Sequence, residues 1–287
     1  MLPLSSIVPD AAALLRSGPH PARARQDAET LLLHVLGKDK AWLIAHGEDE
    51  LSGDEATRYA ELVERRFQGE PIQYITGEAE FFGLPFRVTR DVLIPRPETE
   101  HSVEKALALA SSFAAPRIVD VGTGSGAIAV ALAHKLPDAR ITAIDLSASA
   151  MAVARKNAEL NGVSERIRFL CGDLLAPVAG EQFEMVVSNP PYVPTADRAA
   201  LSVEVRDYEP EMALFAGDDG LEVYRRLIPA AFEALIPGGF VVLEIGYGQS
   251  HAIIELLVAS GFRQIEFVPD LQGIPRVACA RRPDQLS

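Results

Sequence analysis

Cysteine is scarce. Cys171 and Cys279 are the two in 287 residues, and with no paired spacing they promise neither a disulfide framework nor a cysteine-built metal site. The six histidines are scattered, with no HxH or HExxH arrangement, which removes the common zinc-enzyme patterns. Apolar runs are short: none approaches the roughly 18 residues of a membrane-spanning helix. Met1-Leu2-Pro3-Leu4 has no basic flank or apolar stretch of a secretory signal. Positive charge is in deficit, 27 Lys and Arg against 40 Asp and Glu. Neither the amino-terminal part nor the remainder is basic, so the footprint of a duplex-binding protein is missing. The expectation is a cytoplasmic monomer without metal, membrane association or direct nucleic-acid binding. What is present, 48% hydrophobic residues, suffices to bury one large core or two smaller ones.

Residues 1–75 read as helical. Ala28, Leu31, Leu32, Val35 and Leu36 share one face of a helix from Arg23 to Leu36. Ser52 and Glu55 form a capping-box pair ahead of Ala56, Tyr59, Leu62, Val63 and Phe67 at helical spacing, and Gly69 and Pro71 end that helix. His34, Trp42 and His46 read as core or surface residues rather than ligands. From Gln73 to Val92, aromatic and β-branched residues alternate with Gly and Pro, predicting a hairpin linker, assigned to 76–95. A helix to about Ala110 follows Pro95-Arg96-Pro97-Glu98-Thr99-Glu100.

Beyond Pro116 strands alternate with helices. Strands are predicted at 117–121, 140–144, 167–170, 183–188, 240–245, 263–268 and 276–280, with helices at 127–135, 148–160, 221–235 and 250–259. That alternation predicts an α/β domain over 96–287, a doubly wound, mostly parallel sheet of seven strands. Ligands of such sheets bind at the carboxyl ends of the strands.

Three of those ends carry polar stations. Gly122-Thr123-Gly124-Ser125-Gly126 follows the first strand, and glycines there admit a tight turn and close backbone approach to a ligand. Its spacing is neither a clean dinucleotide fingerprint nor a P-loop. Asp145 ends the second strand, where a carboxylate can accept from both hydroxyls of a ribose. Asp173, after the third, can meet an adenine amino group, although either Asp alone reads equally well as a helix cap. Together they describe an adenosine-shaped slot without a pyrophosphate cradle, which suits S-adenosylmethionine better than a nicotinamide dinucleotide.

Asn189-Pro190-Pro191-Tyr192 leaves the fourth strand. Consecutive prolines fix φ and remove two backbone donors, so nearby carbonyls can be aimed outward. Asn adds an amide and Tyr a flat face, a set able to grip and stack on a planar NH2 group. Taken alone, the stretch reads equally as a turn leaving a strand.

These stretches resemble class I S-adenosylmethionine methyltransferases that act on planar nitrogens. Pro71–Gly77, Val92–Glu100, Asp219-Gly220-Leu221, Glu244-Ile245-Gly246 and Asp270–Gly273 extend the resemblance to the release-factor glutamine methyltransferases, the PrmC/HemK family. It spans nearly the whole chain and is weakest in residues 1–60. One position departs: Leu174 follows Asp173 where relatives often carry an aromatic over the adenine. The resemblance implies a cofactor site of Gly122, Thr123, Gly124, Ser125, Gly126, Asp145, Asp173, Leu174 and Asn189, yielding S-adenosylhomocysteine.

It further implies methylation of the glutamine side-chain amide in the Gly-Gly-Gln motif of peptide-chain release factors, a step in translation termination. Asn189, Pro190 and Tyr192 would be catalytic; Pro191, Arg96 and Glu98 would join them on the substrate side, and the helical region would dock the protein substrate. For Arg96, Glu98 and Thr99 a role bridging two domains is an equal expectation. Glutamine methylation of a ribosomal protein stays open as an alternative. An exocyclic-amine DNA or RNA methyltransferase and a catalytically dead binding protein are more remote ones.

Overall fold

In the computed structural model, which describes residues 3–284, the chain forms two compact units. The first comprises residues up to Glu78 together with Leu201–Tyr208; the second comprises Ala79–Ala200 and the chain from Glu209 onward.

The first unit is helical: α1 (Leu4–Leu15), α2 (Ala24–Leu36), α3 (Lys40–Ala45), α4 (Gly53–Phe67) and α5 (Ile72–Thr76). Leu31 and Leu32 of α2, Leu4 and Ala12 of α1, and Val63 of α4 bury one shared core. Ser52 and Glu55 make the reciprocal capping box that opens α4. Two boundaries differ from the sequence reading. Arg23 lies in a 3-10 turn, Pro21–Arg23, so α2 begins one residue later. Ile72–Thr76, read from Gln73 onward as extended, is a helical turn. The Pro71 carbonyl accepts from the amides of Tyr74 and Ile75, and Ile72 and Ile75 are buried in the helical core.

A buried charge cluster holds residues 201–208 to this unit. Arg66, 2% exposed, donates from Nε to Asp27 at 2.6 Å and from Nη1 to the Glu70 carbonyl at 2.9 Å. The same Nη1 meets Glu204 at 2.5 Å. Tyr208 adds a hydroxyl donation to the Gln68 carbonyl.

A hairpin of β1 (Glu78–Phe81) and β2 (Leu84–Arg87) follows, all of it but Glu78 in the second unit. Phe82 and Gly83 both take positive φ, the geometry of a two-residue turn that matches strand twist. Helix α6 (Glu100–Ala110) leads into β3 (Arg117–Val121), α7 (Ala127–Lys135), β4 (Arg140–Asp145), α8 (Ala148–Leu160), β5 (Ile167–Cys171) and β6 (Phe183–Ser188). A short helix, α9 (Val203–Tyr208), belongs to the excursion into the first unit. Then come α10 (Glu222–Ala234), β7 (Leu235–Glu244), α11 (Ser250–Ala259), β8 (Arg263–Pro269) and β9 (Pro275–Arg281).

Seven strands form one sheet in the order β5-β4-β3-β6-β7-β9-β8, all running in one direction except β9, which is antiparallel to both β7 and β8. Alternate residues of the central strands enter opposite cores. Ile118, Met185 and Val242 face one side, where α7, buried from Ala127 to Ala133, packs; Val119, Val186 and Leu243 face the other with Leu227 and Ile228 of α10.

The strand expected at 240–245 instead begins at Leu235. Pro237-Gly238-Gly239 passes through it as an irregularity: the register shifts between Phe183 opposite Leu235 and Met185 opposite Phe240. The Gly238 amide still donates to the Arg282 carbonyl and the Arg282 amide to the Gly239 carbonyl, so a stretch that reads as a break carries ladder contacts.

Candidate active site

The chain reverses direction beside β3, stepping out to β4 and β5 and then back to β6 on its other flank. At the carboxyl ends of these strands lies a cavity of about 220 Å³. Gly122–Ser125, Asp145, Asp173, Leu174, Asn189 and Pro191 all contribute to its wall, as do Arg96 and Thr99.

The loop after β3 is pinned from beneath. Gly122 and Thr123 donate backbone amides to the Ile144 carbonyl at 2.8 and 3.0 Å. The Asp120 carboxylate accepts from Thr123 Oγ1 at 2.6 Å and from the Ala129 amide at 3.2 Å. Asp120 is wholly buried with one oxygen unpartnered, and burial pushes its carboxyl up to about 7. Asn157, 0% exposed on α8, donates to the Ser125 carbonyl at 2.8 Å and exchanges two hydrogen bonds with the Arg87 backbone. An amide on the apolar face of that helix is the sequence signal for this tie.

Asp145 accepts from the Gly124 amide through Oδ2 and from the Ser147 amide through Oδ1, both at 2.8 Å. Each oxygen keeps a free lone pair. Asp173 is less free than expected, because the Arg226 guanidinium engages its carboxylate at the cavity wall. Leu174 adopts a φ of 48°, rare for a branched side chain, and its apolar side chain joins the wall.

Beyond β6, Ser188 Oγ donates to the Val121 carbonyl at 2.6 Å and locks the strand end to β3. Asn189 Nδ2 donates to Thr99 Oγ1 at 3.1 Å, and Thr99 Oγ1 donates to Glu244 Oε2 at 2.6 Å. The Tyr192 hydroxyl reaches Glu244 Oε1 at 3.4 Å, and Tyr224 donates to the Glu244 carbonyl at 2.6 Å. Gln249 closes the arrangement from α11's amino end, donating to the Tyr192 carbonyl at 3.0 Å and accepting from the Gly246 amide at 2.9 Å.

Glu244 is 2% exposed, and burial first, with nearby Glu98 adding to it, pushes its carboxyl up to about 7 against the pull of Thr99, Tyr192 and Arg276. Glu244 enters the sequence reading only within Glu244-Ile245-Gly246, as part of the family resemblance and with no site role, and Gln249 does not enter it; the signal at Glu244 is a lone acid closing the apolar run Phe240–Leu243.

Pro190, Tyr192 and Glu98 do not line the cavity. Pro190 is buried, Tyr192 is held by Glu244 and Gln249, and Glu98 sits in the 3-10 turn Pro97–Thr99. Arg96, a residue of the cavity wall, pairs with buried Glu209 of its own unit. Among the described residues no group of three His, Cys, Asp or Glu is placed to hold a metal ion, and no helix is long and apolar enough to cross a membrane.

Residues 10–77 match the PrmC N-terminal domain family, and residues 105–204 match the methyltransferase small domain family. The chain is 44% identical over 260 residues to a release factor glutamine methyltransferase of Koribacter versatilis, covering 90% of this chain and 91% of the relative. A protein of the same description from Burkholderia pseudomallei is 44% identical over 278 residues, 95% of this chain and 96% of that one. Among solved structures, the hMettl16 catalytic domain in complex with the MAT2A 3′UTR hairpin 6 aligns with a TM-score of 0.58 at 18% identity, covering 87% of this chain and 94% of that one. A methyltransferase from Pyrococcus furiosus aligns at 0.51 with 20% identity, covering 70% and 90%. These two structural likenesses speak for the fold alone.

Proposed function

The chain belongs to the release factor glutamine methyltransferases, and from that membership we propose that it methylates the side-chain amide nitrogen of the Gly-Gly-Gln glutamine of a peptide-chain release factor, using S-adenosylmethionine. The observation that carries this reading is one cavity bordered by the Gly122–Ser125 loop, Asp145 and Asn189.

The residues suit that cofactor. A Cβ at Gly122 or Gly124 would meet nothing within 4 Å, so the loop is open in front of both. Gly122–Ser125 would face the methionine portion, the spare lone pairs of Asp145 the ribose, and Leu174 and Asp173 the adenine; Gly126, expected beside them, does not line the cavity and packs toward Ala154. When bound, S-adenosylmethionine supplies an electrophilic methyl group on its sulfonium.

This chain's own task is to make a poor nucleophile competent. An amide nitrogen has its lone pair delocalised into the carbonyl. Two acceptors, Asn189 Oδ1 and the Pro190 carbonyl, would hold both N–H hydrogens, aim the nitrogen and favour the charge-bearing transition state. Pro190 and Tyr192 follow Asn189 in the chain without lining the cavity, and their assignment to the glutamine rests on the family resemblance. Tyr192, anchored at its hydroxyl and its carbonyl, would keep the amide flat. The rest is positioning, which needs no covalent intermediate. The first unit would dock the release factor, with Arg96 and Glu98 on the glutamine side.

Incubation with purified release factor and methyl-labelled S-adenosylmethionine, followed by peptide mass spectrometry, tests the assignment. The label should sit on the Gly-Gly-Gln glutamine. Label on a ribosomal protein and none on the release factor would overturn it.

A further inference from the structure

Glu244 lines no part of the cavity, yet its buried carboxylate is the terminus of a hydrogen-bond chain that ends on the cavity wall. A threonine hydroxyl has one proton. At Thr99 that proton is committed to Glu244 Oε2 at 2.6 Å, which leaves the Thr99 oxygen only as an acceptor. Asn189 lies 3.1 Å away and must therefore present its NH2 group. Turned over, the Asn189 amide would set two acceptor oxygens against each other with no hydrogen between them, at the cost of an unmade bond in a largely desolvated place.

We propose that Glu244, acting through Thr99, is a positioning residue that fixes the polarity of the Asn189 amide, so that Oδ1 rather than Nδ2 is presented to the glutamine nitrogen. This rests on the assignment of Asn189 to the substrate amide. With the chain broken, the amide turns freely, and in one of its two settings it offers donors to donors. The other side chains around Glu244 are consistent with a fixed acceptor. Tyr192 donates to its second oxygen, Arg276 acts on it as a positive charge, and the Glu98 carboxylate opposes them. A protonated Glu244 could itself donate to Thr99 and reverse the chain, so the ordering holds while Glu244 is ionised.

The test compares Thr99→Val, Thr99→Ser and Glu244→Gln with the unmodified enzyme, measuring turnover on release factor against pH, cofactor affinity by calorimetry, and unfolding temperature. Thr99→Val should lower kcat about 10- to 100-fold, less than the ~10²–10³ expected for deleting a preorganised polar group outright. Its cofactor affinity should fall far less than kcat. Thr99→Ser, which keeps the hydroxyl, should restore most of the rate.

The unmodified enzyme should lose turnover as pH falls through about 7, the value to which Glu244 is pushed. Thr99→Val and Glu244→Gln should both lack that limb, which a merely structural tie would leave in place. Near-normal kcat in Thr99→Val, or Thr99→Ser as slow as Thr99→Val, overturns the proposal. Should Thr99→Val fail to fold, persistence of the acid limb in Glu244→Gln overturns it and its loss supports it. An unmodified enzyme inactive on release factor would instead refute the parent assignment.

Discussion

Arg66→Met should destabilise the first unit by about 3–5 kcal/mol at pH 8, the usual cost of stranding one partner of a buried ion pair. Arg66 and Asp27 are each 2% exposed and meet at 2.6 Å, so the side chains exchange water for one another. Methionine nearly fills the vacated volume, which keeps the cavity contribution small. Asp27 would then keep the ion pair with Arg23, at 3.6 Å and half exposed, whose attraction water largely screens. Glu204 would lose its 2.5 Å contact as well.

His20, 3.4 Å from Glu204, offers partial compensation. Its pKa is held below the ordinary histidine value first by burial and then by the Arg66 charge. Without that charge it protonates more readily beside Glu204 and Asp27. The loss should therefore be smaller at pH 6 than at pH 8. Removing the second charge in Arg66→Met/Asp27→Asn should recover much of the stability at pH 8. Hydrogen exchange at the amides of α2 and α4, read against denaturant, measures the unit directly. A loss below about 1 kcal/mol at pH 8, or a double variant no better than the single, would refute the desolvation argument.

Gly220→Ala should cut turnover tenfold or more with little change in cofactor affinity, a sensitivity typical of displacements of about 1 Å near a reacting group. Its φ is +72°, and a Cβ there would lie 2.3 Å from the Tyr192 carbonyl oxygen and 2.8 Å from Gln249 Nε2, so the Tyr192 backbone must move; kinetics beside calorimetry would check this, and a normal kcat would contradict it. Asp120→Asn should flatten part of the pH dependence of stability. Folding raises the Asp120 pKa from an ordinary value of 3.8 to about 7, so this acid penalises the folded state increasingly from pH 4 to 7 and fully above it. Relative to the variant, the unmodified protein should gain stability as pH falls from about 7 to about 4, and parallel unfolding curves at both limits would argue against it.

Much of the architecture was legible because strand and helix impose different periods. Helices 127–135 and 148–160 begin and end where the sequence places them, and β3 and β6 match residue for residue. The misreadings have local causes. Pro237-Gly238-Gly239 carries turn chemistry but is bridged to Arg282 by a partner strand that no short window contains. Ile72–Thr76 has strand-like composition, yet burial of Ile72 and Ile75 in a helical core decides its form.

At the cavity, Gly122–Ser125, Asp145 and Asn189 could be singled out because each stands at a strand end. Thr99 and Glu244 could not be joined, since 145 positions separate two residues that touch at 2.6 Å. The Arg66–Glu204 contact, across 138 positions, was invisible for the same reason.

The central claim is that Asn189 holds the glutamine amide for transfer. Single-turnover methylation of release factor by Asn189→Ala, with S-adenosylmethionine affinity measured on the same protein, tests it most directly. The account predicts a rate lower by about 10²–10³ with cofactor binding reduced far less. A variant that methylates the Gly-Gly-Gln glutamine at nearly the normal rate, or that loses rate only in step with lost cofactor binding, would contradict it.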